Sequence, residues 1–238
     1  MTDGVRFHHA VDRDALIAAA GEACEAAIDA ALSARGRASV ALSGGSSPGP
    51  LYRCLASGAR AWESVDLALV DERWVGADHE ASNARLATQC FAPALVQGAR
   101  LTPMKTEAGR PEDALAAREP DYARLRPFDL VVLGMGPDGH TASWFPHAEG
   151  LDGALAPPGD ATLAAGRAVG SPVAGAYVER MTLTRPVIAE ARRVVMVITG
   201  DEKRAVFERA REPGSETDMP VRALWRPGAT PLEVYWAA

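Results

Sequence analysis

The chain has 238 residues, with 25 Lys plus Arg against 31 Asp plus Glu and a formal net charge of −6. Hydrophobic residues make up 47% and charged residues 24%, which suits a globular protein with one substantial core, and no basic block or stripe is present to suggest a nucleic-acid partner. No stretch reaches about 18 uninterrupted apolar residues, so no membrane span is expected, and Cys24, Cys54 and Cys90 are too few and too scattered for a disulfide framework or a structural zinc site.

The first twenty residues carry acids and histidines where a secretory leader would be basic and then apolar, so the cytoplasm is the expected compartment. Residues 12–35 predict a long helix. Leu16, Ala20, Ala23, Ala27, Ala30 and Ala31 form its apolar stripe, Glu22, Glu25 and Asp29 lie on other faces, and Gly36 supplies the stop. Residues 38–42 read as a short buried strand, followed by the turn SGGSSPG and a helix over 50–56. Residues 65–70 predict a strand that ends at Asp71-Glu72-Arg73. A helix follows over 82–90, with Ser82 or Asn83 at its start, and then a short strand over 101–105.

Residues 130–133 are the clearest buried strand, and a turn and a helix are expected after it. The Gly, Pro and Ala content of 148–172 predicts an irregular excursion. A strand over 194–199, a helix over 203–211, a loop over 212–220 and a last strand over 233–236 complete the chain. Strands that alternate with helices predict a single α/β domain over 1–238: a doubly wound, mainly parallel, Rossmann-like sheet with helices on both faces.

Residues 128–146 read FDLVVLGMGPDGHTASWFP. Gly134, Gly136 and Gly139 satisfy G-x-G-x-x-G after a strand, but the motif sits late in the chain. The only acid about 20 residues on, Asp160, lies in a Gly/Pro loop rather than at a strand end, so a dinucleotide is not implied. The other reading takes the whole string. Glycines let the backbone turn sharply at the carboxyl end of a strand, where open α/β sheets bind ligands. Asp138 and His140 can then face one cleft, the histidine moving a proton and the carboxylate holding its ring. The same residues also read as a turn and a helix cap. Ser143 lacks the G-x-S-x-G elbow of a nucleophile and reads as a helix-start residue.

Ser43-Gly44-Gly45-Ser46 follows a strand and precedes a helix, so successive N–H groups and the helix terminus can hold an oxyanion. No Gly-Lys-Ser/Thr follows, so a nucleoside triphosphate is not implied. Arg73, Arg180 and Lys203 stand near comparable strand ends and would form a local positive spot if they converge.

Five strings, SGGSSPGPLY, LVDERWV with SNARLA, LGMGPDGHTASWFP, ERMTLT and ITGDEKRA, occur in order from about Val40 to Lys203, and together they resemble the 6-phosphogluconolactonase family. The resemblance implies a fold related to glucosamine-6-phosphate isomerase and ribose-5-phosphate isomerase. It implies hydrolysis of 6-phosphogluconolactone, with His140 as general base beside Asp138. It assigns the phosphate to Ser43, Gly44, Gly45, Ser46, Arg73 and Lys203, with Arg180 a further candidate, and Asp71 joins them as a substrate-binding residue. It implies no cofactor or metal, a small-molecule substrate, and a monomer or homodimer. The chain departs from the family pattern at AYVER before Arg180, at Trp144 in place of leucine, and at the VYWAA end, which lacks an acid. Two alternatives share the anion loop. An amino-sugar phosphate isomerase/deaminase would run closer to H-I-x-F-N-E-P where this chain has HTASWFP. A sugar-phosphate sensing module would carry a DNA-binding helix-turn-helix, and nothing before Val40 reads as one.

Overall fold

A computed structural model describes residues 4–45 and 47–238. The chain runs β1 (Val5–His9), α1 (Arg13–Arg35), β2 (Ala38–Leu42), α2 (Gly49–Ser57), β3 (Val65–Leu69), β4 (Asp71–Arg73), α3 (Asn83–Cys90), α4 (Ala92–Val96) and β5 (Arg100–Thr102). It continues with α5 (Leu115–Ala123), β6 (Leu130–Leu133), α6 (Leu151–Leu155), β7 (Leu163–Arg167), β8 (Glu179–Leu183), α7 (Arg185–Ala189), β9 (Val194–Thr199), α8 (Asp201–Arg211) and β10 (Leu232–Ala237). Among these residues no helix is long and apolar enough to cross a membrane.

The main sheet has seven strands in the order β1-β10-β9-β6-β2-β3-β5, and every pairing in it is parallel. A parallel sheet covered on both faces needs strands that are apolar at every position, not alternately. ASVAL, VDLAL and LVVL come close to that, with every residue buried, and the two exceptions are paired: the Ser39 hydroxyl donates to the Leu125 carbonyl and Asp66 accepts from Arg100. The sheet belongs to the doubly wound class that the element order predicts.

Two local devices fix α1. The Asp12 carboxylate accepts from the Ala15 N–H at 2.8 Å, and Gly36, at φ 68°, turns its N–H back to the Leu32 carbonyl. Its buried face is rotated from the expected stripe: Cys24 and Ile28 join Leu16, Ala20, Ala23 and Ala31, while Ala30 is exposed. The alanine-rich sequence left the stripe's orientation poorly marked, and the larger apolar side chains decide it.

Strand order reverses beside β2. From β2 the chain moves outward through β3 to β5, then returns to the other flank of β2 with β6 and moves on to β9 and β10. Ligands of open α/β sheets bind at such a switch point, outside the carboxyl ends of the strands. Here β2 and β6 are direct neighbours, and the Ser43 N–H still donates to the Val132 carbonyl at 3.1 Å as the two loops leave the sheet.

A second, three-stranded antiparallel sheet, β4-β8-β7, stands beside the switch point. It corrects the expected irregular excursion over 148–172, which contains α6 and β7. Strands β1 and β8 and helix α5 were also unforeseen, and β5 occupies Arg100–Thr102 rather than 101–105. No helix follows β6 directly. Its place is taken by turns, with the Thr141 hydroxyl donating to the Gly134 carbonyl at 2.8 Å and Thr141 bridged to Trp144. The cap reading of His140 therefore has no helix to cap, and Ser143 starts none.

Candidate active site

The carboxyl ends of four neighbouring strands, β9, β6, β2 and β3, carry the expected residues in lateral order. Lys203 comes from the first turn of α8 after β9, His140 from the turn after β6, Ser43–Gly45 after β2, and Asp71 and Arg73 after β3. At about 4.8 Å per strand this row spans about 14 Å. A cavity of about 230 Å³ opens along it, lined by Ser43, Gly44, Gly45, Asp71, Arg73, Asn83, Gly136, His140, Val173 and Lys203, among others. Ser46 lies outside the described residues. Arg180 does not line the cavity but is buried behind its rim, at 3% exposure.

The turn after β6 is closed by its own backbone. Gly136 N–H donates to the His140 carbonyl at 2.9 Å, and Gly139, at φ 80°, donates to the Gly136 carbonyl at 3.1 Å. Asp138 accepts from the His140 N–H at 3.1 Å and from the ring Nδ1–H at 2.6 Å. A carboxylate only accepts, so this contact puts the proton of the neutral ring on Nδ1 and leaves the Nε2 lone pair free. Nε2 has no protein partner among the described residues. Burial pushes the Asp138 carboxyl up, but the hydrogen bonds and charge of His140 outweigh it and hold the group below its usual range. The next residues keep the ring in place: Phe145 stacks on the imidazole, with centroids 4.3 Å apart and an interplanar angle of 28°. Ala142, in the left-handed region at φ 52°, lines the cavity. Such a conformation is costly for a residue with a Cβ and tends to persist at functional sites.

The strand-end acids do two different things. Asp71, 6% exposed, accepts from the Ser143 hydroxyl at 2.6 Å and from Asn83 Nδ2 at 3.2 Å, so its carboxylate is fixed at the cavity wall. Glu72, fully buried, accepts from the N–H groups of Arg73, Asn83 and Ala84 at 2.9, 2.7 and 2.8 Å and from the Ser82 hydroxyl at 3.1 Å. Burial pushes the Glu72 carboxyl up while the bonds from Asn83, Ala84 and Arg73 pull it down. Its work is to satisfy the start of α3 and so to set Arg73 and Asn83. Glu72→Ala removes the acceptor of four donors, three of them buried, and is expected to cost about 3 kcal/mol. In thermal unfolding that should appear as a Tm lower by roughly 6–12 °C.

The sequence marks Asn83 only as a possible helix start. Ser82 is the cap, accepting from the Arg85 N–H, and Asn83 lines the cavity, where it also donates to the Asp71 carbonyl at 2.8 Å. It packs so closely on the 43–45 loop that a Cβ on Gly44 would overlap its side-chain amide. An asparagine just inside a helix start that already has a serine cap was the available signal.

The cations differ in situation. Arg73 donates from Nη1 to the Ala81 carbonyl at 2.7 Å, and its buried Nε has no partner among the described residues. Arg180 lies directly opposite it across the β4–β8 ladder, donates from Nη2 to the Ala174 carbonyl at 3.1 Å, and also has an unpartnered buried Nε. Like charges opposite each other repel. Burial lowers Arg180 to about 10, with Asp71 opposing the shift and Arg73 adding to it. Lys203 is one of only two lysines in a chain with 25 basic residues, so its presence in the cavity runs against the composition. Burial lowers its pKa.

The sequence and the fold have counterparts in known proteins. A family model described as glucosamine-6-phosphate isomerases/6-phosphogluconolactonase matches residues 11–236. A protein of Rhizobium meliloti named 6-phosphogluconolactonase is 39% identical over 224 residues, covering 94% of each chain. One of Pseudomonas putida with the same name is 34% identical over 98% of this chain and 93% of its own. Among solved structures, a 6-phosphogluconolactonase from Shewanella baltica superposes with a TM-score of 0.87 at 33% identity, covering 98% of both chains. A monomeric glucosamine-6-phosphate deaminase superposes with a TM-score of 0.77 at 16% identity, a likeness of fold alone.

Proposed function

The chain belongs to the glucosamine-6-phosphate isomerase/6-phosphogluconolactonase family and hydrolyses 6-phospho-D-glucono-1,5-lactone to 6-phospho-D-gluconate, a step of the pentose phosphate pathway; we propose that His140 is its general base. One observation carries that reading: a carboxylate-held imidazole with a free Nε2 lines the same cavity as a glycine anion loop and a lysine.

The substrate is a cyclic ester whose phosphate does not react, so phosphate binding serves orientation. The N–H groups of the 43–45 loop and the ammonium of Lys203 hold the phosphate. The lactone carbonyl then lies toward His140. Neutral His140 takes a proton from water at Nε2 as the water attacks C1, and a tetrahedral oxyanion forms. The ring Nδ1–H stays on Asp138, whose charge stabilises the imidazolium. The proton then passes from Nε2 to the departing ring oxygen, which opens the ring and leaves the carboxylic acid.

The oxyanion needs donors. The turn's own N–H groups at Gly136, Gly139 and His140 are already committed within the turn, which leaves Arg73 as the better candidate. Arg180, opposite Arg73 and within 5.2 Å of the Phe145 ring centroid, places this cationic pair toward the imidazole end. Asp71, fixed by Ser143 and Asn83, is suited to accept from a sugar hydroxyl.

A coupled assay with fresh lactone tests the reading. Wild type should consume lactone well above the buffer rate and release no ammonia from glucosamine 6-phosphate. Lys203→Met, which keeps the apolar stem, should raise KM by about 10- to 100-fold with kcat within a few-fold of wild type, as loss of uniform binding does. A fall in kcat at unchanged KM would move Lys203 from the phosphate to the reacting end.

A further inference from the structure

We infer that Phe145 is a positioning residue for the base: its ring holds the His140 imidazole in the plane that presents Nε2 to the cavity, and its face stabilises the imidazolium as the proton arrives. The inference rests on the reading of His140 as base.

Phe145 is buried, at 3% exposure, yet it is not part of the main core; it forms a small separate cluster with Ala168 and Ala174. Its neighbour Trp144 supplies the packing of this segment, fully buried with its indole N–H on the Leu183 carbonyl at 3.0 Å. A large ring is therefore placed outside the core and against the imidazole, 4.3 Å from its centroid. Asp138 holds one edge of that imidazole at Nδ1, and the close approach of Gly136 crowds that same Nδ1–Cε1 edge. A flat face is the contact that sets the plane.

The face also carries charge. An aromatic ring is negative above its plane and attracts cations. His140 is neutral before the reaction and cationic after it takes the proton, so the contact strengthens along the reaction coordinate, as a rate-raising contact must. The charged groups around it are Asp138 on its own turn, Asp71 and Arg73 from β4, Lys203 from α8, and Arg180 from β8, whose guanidinium carbon lies 5.2 Å from the Phe145 centroid. Three cations against two acids make this a poor place to create a further positive charge. Asp138 and Asp71 favour it, and the Phe145 face adds to them at the ring itself.

Phe145→Leu keeps an apolar side chain and removes the π face. We expect kcat to fall about tenfold with KM within about twofold. The acid limb of the kcat–pH profile should move to lower pH, because a less favoured imidazolium gives up its proton sooner. Phe145→Tyr should restore most of the rate. If the leucine variant folds poorly, fluorinated phenylalanines at position 145 keep the shape and drain the face of charge, and kcat should fall with each added fluorine. An unchanged rate and profile in Phe145→Leu, a loss confined to KM, or a fluorine series with no trend overturns the inference. An active His140→Ala would instead sink the base reading beneath it; an inactive His140→Ala beside a wild-type-like Phe145→Leu would sink this inference alone.

Discussion

His140→Ala is expected to lower kcat by about 10²- to 10⁴-fold, the contribution of a positioned general base, while 6-phosphogluconate binds within a few-fold of wild type. The asymmetry follows from where the groups stand. The ring leaves the strand end after β6, whereas the anion loop comes from β2 and Lys203 from the helix after β9. Removing the imidazole leaves the cradle intact. It also leaves Asp138 without the ring that pairs with it, so the variant has no group that can take a proton and return it to the leaving oxygen. Asp138 does not substitute, because it stands at the Nδ1 edge of the missing ring, away from the Nε2 position where the water is activated. Single-turnover hydrolysis and calorimetric titration of product separate the two quantities. Full turnover in the variant would remove His140 from the mechanism.

The second large effect is expected at a residue with no functional group. Gly136→Ala should lower kcat about 100-fold, the scale of loss seen when a reacting group is displaced by about 1 Å. Gly136 is not among the glycines with positive φ, so its backbone conformation tolerates alanine. Space forbids it: a Cβ there would overlap Cε1 and Nδ1 of His140 and lie 2.8 Å from Asp138 Oδ1. The methyl group would push the imidazole off Asp138 and out of line. Gly134, two residues earlier, is the control, since a Cβ there meets nothing within 4 Å. Gly134→Ala should keep the wild-type Tm and a far larger share of kcat than Gly136→Ala, although Gly134 also lines the cavity. Equal behaviour of the two variants, by kcat and Tm, would contradict the close-approach account.

Much of this was legible in the residues, for reasons that also mark the limit. ASVAL, VDLAL and LVVL announce buried parallel strands because their apolar runs are broken only at Ser39 and Asp66. The strand-end loops stand out as site candidates because small residues and a D-G-H follow directly. What stayed hidden depends on partners distant in sequence. Strand β7, LAAGR, has weak intrinsic preference for extended structure and exists through its ladder with β8. Strand β1, VRFHH, lies at the edge of the sheet, half exposed, and draws its order from β10. The helix expected after β6 was lost to turns that the Thr141 hydroxyl and Gly139 support.

In the site, His140 and Asp138 could be paired from spacing alone, because two residues in a tight turn can meet. Asn83 could not, since its hold on Asp71 and its contact with Gly44 join three loops that only the fold brings together. Nor could the position of Arg180 behind the rim, which follows from its register opposite Arg73.

A crystal structure with 6-phosphogluconate bound measures the arrangement most directly. The C1 carboxylate should lie about 3 Å from Nε2 of His140, with the phosphate on the N–H groups of the 43–45 loop and on Lys203 Nζ. A product lying the other way round, its phosphate against His140 and its carboxylate on the glycine loop, would contradict the account.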